Sequence, residues 1–193
     1  MAGHARFTAV LDACVLYPVS VADALISLAV AGLYAAKWTS EIEDEWVRNL
    51  ELKRPELCGR LGIRRDQMRL AVPDWEIPTE AWQVLAPCLN LPDRDDVHVL
   101  AAAIAGHADC VVTTNLKHFP DAVLRPYGIE AIHPDDFLVA QLDLDEFTAL
   151  AAFRDMRERK KNPTLNPEEF AQALERNGLV VTASRLRLAA ALI

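Results

Sequence analysis

The chain has 193 residues, of which 52% are hydrophobic and 25% charged, with a formal net charge of −8. This composition excludes a disordered chain, and the length suits one substantial domain or one domain with a small appendage. The longest apolar stretch, from Val21 to Ala36, is alanine-rich, too short for a membrane span and interrupted by Asp23. No basic-then-apolar leader is read at the N-terminus, so a cytoplasmic protein without membrane association is expected.

Cys14, Cys58, Cys88 and Cys110 are scattered singly with no C-x-x-C pair, which reads as buried thiols rather than a disulfide or zinc site. The net charge has the wrong sign for a nucleic-acid binder. Either the negative charge is concentrated in a carboxylate cluster that a metal ion neutralises, or the substrate is not a nucleic acid.

In chain order, Phe7-Thr-Ala-Val-Leu11 followed at once by Asp12 is the pattern of a buried parallel strand ending in a carboxylate. Apolar residues then recur at helical spacing from Ser20 to Leu33, with Ser20 placed as the N-cap and Gly32 near the stop. Lys37-Trp-Thr39 reads as a second short strand. Thr39 or Ser40 then caps a helix that runs through Glu41, Glu43, Asp44 and Glu45 toward Leu52. Glu41 and Glu43 suit the positive end of that helix dipole, which suffices to explain them. An Arg-rich helical stretch spans Pro55 to Leu70, and a further helix is expected from Thr79 to Leu89. A polar turn, Leu91 to Asp96, feeds the alanine-rich helix Val97 to Ala105, which Gly106 ends. Ala108 to Thr113 reads as a buried strand, and Ile129 to Ile132 as one more.

This alternation of strand and helix predicts an α/β fold with a parallel sheet covered on both faces. After Pro134 the pattern is helical only, in runs 134–141, 145–160, 167–177 and 180 to the end, with Asn166 capping a helix that has Pro167 at its first position. The expected organisation is an α/β core over residues 1–135 and an all-helical C-terminal extension over 136–193.

Ligand sites in a parallel sheet gather beyond the carboxyl ends of its strands. Asp12 follows the first strand, and Asn115 follows the strand that ends at Thr113. Asp96 opens the preceding helix, and Glu45 lies in the first turns of its own. On this topology the four share one cleft. Clustered carboxylates repel one another and persist mainly where a cation binds them. Oxygen donors without a Cys or His pairing favour Mg2+ or Mn2+ over zinc.

Three stretches carry a resemblance. Leu11-Asp-Ala-Cys-Val-Leu-Tyr-Pro18 resembles the strand-ending opening of PIN domains, and Ser40-Glu-Ile-Glu-Asp-Glu45 resembles their S-x-x-x-x-E helix. Asp95-Asp-Val-His-Val-Leu-Ala-Ala-Ala-Ile104, followed by Ala108-Asp-Cys-Val-Val-Thr-Thr-Asn115, is similar to their most specific signature, a capped helix, a gap and a buried strand in fixed order. The resemblance implies a PIN-like α/β/α sandwich around a central parallel sheet. It implies a Mg2+- or Mn2+-dependent endoribonuclease, in many bacterial cases the VapC-type toxin of a toxin–antitoxin pair. Asp12, Glu45 and Asp96 match the metal-binding carboxylates, and one of Asp96 or Glu45 would orient or deprotonate the attacking water. The place often held by a fourth acid falls on Asn115, which weakens one ligand. Thr113 and Thr114 are expected to hydrogen-bond a phosphate or the metal shell, and Lys117 or His118 to contact the RNA backbone. RNA as substrate, a small antitoxin as partner and a homodimer follow from the same resemblance, and the extension resembles that of long-chain VapC-like proteins.

Blander readings are assigned to the remaining residues. Asp95 caps its helix, Asp93 is solvated, His98 is a packed or surface histidine, and the four tryptophans serve the core or a partner. Arg60 to Arg69 reads as a solvated face and is the best candidate for an RNA-backbone or partner contact, with Arg157 to Lys161 second. A haloacid-dehalogenase-type phosphatase is disfavoured because Cys14 stands where that class needs a second Asp. A non-catalytic PIN-like module that binds RNA or protein is the other rival.

Overall fold

A computed structural model describes residues 7–193. Its elements run β1 (Thr8–Leu11), α1 (Ala13–Leu16), α2 (Val19–Val30), β2 (Ala35–Lys37), α3 (Ser40–Lys53), α4 (Gly62–Ala71), α5 (Thr79–Trp82), α6 (Val97–Ala105), β3 (Cys110–Val112), α7 (Asp121–Leu124) and β4 (Glu130–Ile132). Four helices complete the chain: α8 (Pro134–Leu144), α9 (Glu146–Arg159), α10 (Pro167–Glu175) and α11 (Val180–Leu188). The packing divides it into two units. One runs up to Tyr17 and resumes over Tyr34–Ile132; the other comprises Pro18–Leu33 and His133–Ile193. By packing, α2 groups with the C-terminal helices.

In the first unit the four strands form one parallel sheet, in the order β2-β1-β3-β4. Ala9, Val10 and Leu11 of β1 and Cys110, Val111 and Val112 of β3 are fully buried. Such uninterrupted apolar runs belong to central strands covered on both faces. The register pairs Leu11 with Val112, so the chain leaves β1 and β3 side by side, at Asp12 and Thr113. β2 lies on one side of β1 and β3 on the other, which makes this the point where the strand order reverses and a crevice opens beyond the strand ends.

Local chemistry moved several expected boundaries. The second strand is Ala35–Lys37; Trp38 makes only an isolated parallel bridge to Glu76, and Thr39 leaves the strand to cap α3, accepting from the Ile42 N–H at 3.1 Å. Helix α2 starts at Val19, so Pro18 takes the cap position and Ser20 lies inside the first turn. The helix expected over Thr79 to Leu89 is one turn of α-helix and a separate 3-10 turn, Ala86–Cys88. Pro87 lacks the N–H that would continue it. The Pro55 to Leu70 stretch is likewise broken, at Gly59, whose φ of 72° lies in the left-handed region.

The arginines of α4 are not a solvated face. Arg64 donates to the carbonyls of Leu16 and Tyr17 and lies 4.6 Å from the centre of the Trp46 ring. Arg69 forks onto the fully buried carboxylate of Glu43 and covers Trp75 at 4.8 Å. All four tryptophans are buried. Glu43 also accepts from the Trp38 indole at 3.0 Å, so its role is a buried charge pair and not helix-dipole compensation alone.

In the second unit Asn166 caps α10 with a complete capping box: its side chain accepts from the Glu169 N–H at 2.9 Å, and the Glu169 side chain accepts from the Asn166 N–H at 2.9 Å. Asp135, buried at the start of α8, accepts from the Val181 and Thr182 N–H groups at 2.8 and 2.9 Å. That seats an anion on the first turn of α11, where unpaired N–H groups favour one. Arg159 reaches Asp23 at 3.0 Å and Ser27 at 2.7 Å on α2, and Lys160 lies 3.7 Å from Asp23, so this basic run is partly spent on ion pairs. Among the described residues no helix is long and apolar enough to cross a membrane.

Candidate active site

Asp12 and Asp96 hold equivalent local positions. Each is the N-cap residue of a helix, α1 and α6, and neither side chain caps a backbone N–H of its own helix. The carboxylates are therefore left for other partners although both residues are buried, at 2% and 8% exposure. Oδ2 of Asp12 accepts from the Thr113 hydroxyl at 2.6 Å and from the Cys14 thiol at 3.1 Å. Oδ2 of Asp96 lies 2.6 Å from Nδ1 of His118.

Glu45 approaches from α3, whose start is fixed by the Thr39 cap and whose buried side carries Ile42, Glu43, Trp46 and Leu50. Burial, then the charges of Asp12 and Asp96, push the Glu45 carboxyl up to about 7. Asp96 is raised chiefly by burial, against the His118 hydrogen bond, with the charge of Asp12 adding to the rise. Three carboxylates from separate stretches of sequence thus sense one another as one electrostatic site. The neighbouring Glu43 belongs to the Arg69 pair, which separates the two acids by environment.

The segment after β3 completes the cleft. Thr113, expected at a phosphate or the metal shell, is fully buried and its hydroxyl donates to Asp12. Thr114 and Lys117 are exposed, and Asn115 is half-buried, its N–H donating to the Thr113 hydroxyl at 3.0 Å. His118, expected at the RNA backbone, is engaged with Asp96, and Asp93 lies 3.5 Å from the same nitrogen. Asp93, Asp96 and His118 offer ligand atoms within 4.8 Å of one another.

Sequence reasoning passed over two further groups. Cys14 was read as an inert buried thiol. Its sulfur accepts from the N–H and hydroxyl of Thr114, at 3.2 and 3.1 Å, and faces Asp12. Burial, and next the charge of Asp12, lift it to about 12, so it is a hydrogen-bonding thiol and not a nucleophile. His98 lies against the Asp95 carbonyl through Nδ1 at 2.7 Å, with Nε2 3.5 Å from Glu45. The signal was its position two residues after Asp96, on the same first helical turn. Asp95 acts there through its carbonyl, and not as the expected side-chain cap. Cys58 and Cys88 are exposed, contrary to expectation, and all four cysteines are free thiols.

The donor set fits a hard divalent cation. Carboxylate oxygens dominate, and Glu45 and Asp96 are raised first by burial and also by neighbouring carboxylate charge, which a bound cation would offset. Asp12, Glu45 and Asp96 would hold such an ion.

A family model described as a PIN domain matches residues 8–117, and one described as the VapC50 C-terminal domain matches residues 134–188. The chain is 51% identical over 128 residues to a Mycobacterium tuberculosis (strain ATCC 25618 / H37Rv) protein named "Putative ribonuclease VapC50", the match covering 61% of this chain and 74% of that one. No solved structure matches the chain.

Proposed function

The chain belongs to the PIN-domain family, and from that premise we propose that it is a divalent-metal-dependent endoribonuclease, the toxin of a type II toxin–antitoxin pair. The observation that carries this reading is that Asp12 and Asp96 lie close enough to Glu45 for their charges, after burial, to lift its carboxyl to about 7. An ion bound there would supply a Lewis acid toward the scissile phosphate and acidify the attacking water. Mg2+ and Mn2+ are the ions that oxygen donors select.

The remaining work falls to this chain's side chains. Asp12, Glu45 and Asp96 hold the ion. Glu45, besides helping to hold the ion, orients the attacking water or takes its proton. Asn115, an amide in the fourth position, orients water by hydrogen bonding and adds no charge. Thr114 and Lys117, exposed beside the cleft, contact the RNA phosphates. The protein acts in the cytoplasm, as a monomer or homodimer, and a small antitoxin neutralises it.

Expression of the chain should arrest bacterial growth, and co-expression of a small protein from the adjoining gene should relieve the arrest. Arrest of equal strength by Asp12→Asn would sink the toxin role. RNA cleavage by purified protein, present with Mg2+ or Mn2+ and absent in EDTA, tests the nuclease reading separately.

A further inference from the structure

The segment leaving β3 grips both aspartates of the cleft. Its first residue, Thr113, donates to Oδ2 of Asp12 at 2.6 Å, and His118, five residues on, lies with Nδ1 2.6 Å from Oδ2 of Asp96. Between them the segment is tied to itself. The Asn115 N–H donates to the Thr113 hydroxyl at 3.0 Å, and the His118 N–H to the Asn115 carbonyl at 2.8 Å. A continuous hydrogen-bonded path therefore runs from one carboxylate to the other. Both grips fall on Oδ2, and Oδ1 of each aspartate carries no hydrogen bond among the described residues.

The chemistry of His118 Nδ1 follows from its surroundings. It faces Asp96 at 2.6 Å and Asp93 at 3.5 Å, and ionised carboxylates only accept, so Nδ1 carries the proton and donates. Asp93 is itself tethered, accepting from the Asp95 N–H at 3.1 Å. At 2.6 Å the shorter contact lies just below the usual N–H···O range, on the side to which a carboxylate acceptor shortens such bonds.

Resting on the nuclease reading above, we infer that His118 is a positioning residue: its Nδ1–H fixes the Asp96 carboxylate so that Oδ1 is the oxygen offered to the divalent ion, as Thr113 does for Asp12. Partners that orient a ligating carboxylate in this way are typically worth about 10–100-fold in metal affinity. With an amide at Asn115, fewer charged ligands remain to hold the ion, so the orientation of each one matters more.

Calorimetric titration of Mn2+ into the metal-free full chain tests the inference without reference to catalysis. Asn sets its amide nitrogen near the place of Nδ1, whereas Gln sets it near that of Nε2. His118→Gln and His118→Leu should weaken Mn2+ binding about tenfold or more, while His118→Asn stays within about threefold of the parent. Should Leu fail to fold, Gln against Asn still decides. Parent-like affinity in the Gln variant, or an Asn variant as weak as Gln, overturns the positioning role and leaves the carboxylate ion site standing. A parent that binds no Mn2+ overturns both.

Discussion

At the residue scale, the Glu45 carboxyl, lifted to about 7 from an ordinary 4.5, couples proton binding to stability and to ion uptake. Between those values the folded state of the ion-free protein binds more protons than the unfolded state. Its stability should therefore fall as pH rises through that window, with the loss complete above about 7. Glu45→Gln removes the ionisation. Thermal melts in EDTA should show the variant gaining on the parent by on the order of 2–3 kcal/mol from about pH 5 to pH 8. Identical pH profiles for the two would contradict the buried, mutually repelling site. Ion affinity of the parent should move the opposite way, rising with pH as protons cease to compete. Glu45 itself was legible in the sequence only through its spacing from Ser40, because four acids, Glu41, Glu43, Asp44 and Glu45, crowd the start of the same helix. Which of them meets Asp12 and which is buried under Arg69 depends on the rotation of α3, which local pattern does not encode.

At the scale of elements, the Glu43–Arg69 pair ties α4 to α3. Arg69→Ala leaves a fully buried carboxylate with only the Trp38 indole as a partner. The loss should be about 3 kcal/mol in a urea melt, since breaking a buried pair strands its other charge. A change below about 0.5 kcal/mol would mean that Glu43 takes up a proton or finds water instead. In the second unit, Asp135→Ala strips the acceptors from the start of α11 and should cost about 1–3 kcal/mol. Unchanged stability would show those N–H groups to be solvated. The strands were readable because central parallel strands are apolar runs, and the Asn166 cap because its signature is local. Arg64, Arg69 and Asp135 were not, since each acts on a partner 26 to 48 residues away. The same holds for His118, whose partner Asp96 is 22 residues distant.

For the whole molecule, the net charge of −8 sets the terms on which a polyanion can be met. Arg64 and Arg69 of α4 are turned onto carbonyls and a carboxylate, so they are not offered to phosphate. A cation bound between Asp12, Glu45 and Asp96 would offset most of the local negative charge where the phosphate must lie, which makes the ion central to the account. The most direct measurement is cleavage of a defined RNA across a Mn2+ titration, with the parent beside Asp12→Asn and Asp96→Asn, each first shown to melt like a folded protein. The account predicts cleavage that appears with the ion, vanishes in EDTA and falls at least ~100-fold in both variants. Cleavage independent of the ion, or variants that cut at the parent's rate, would contradict it.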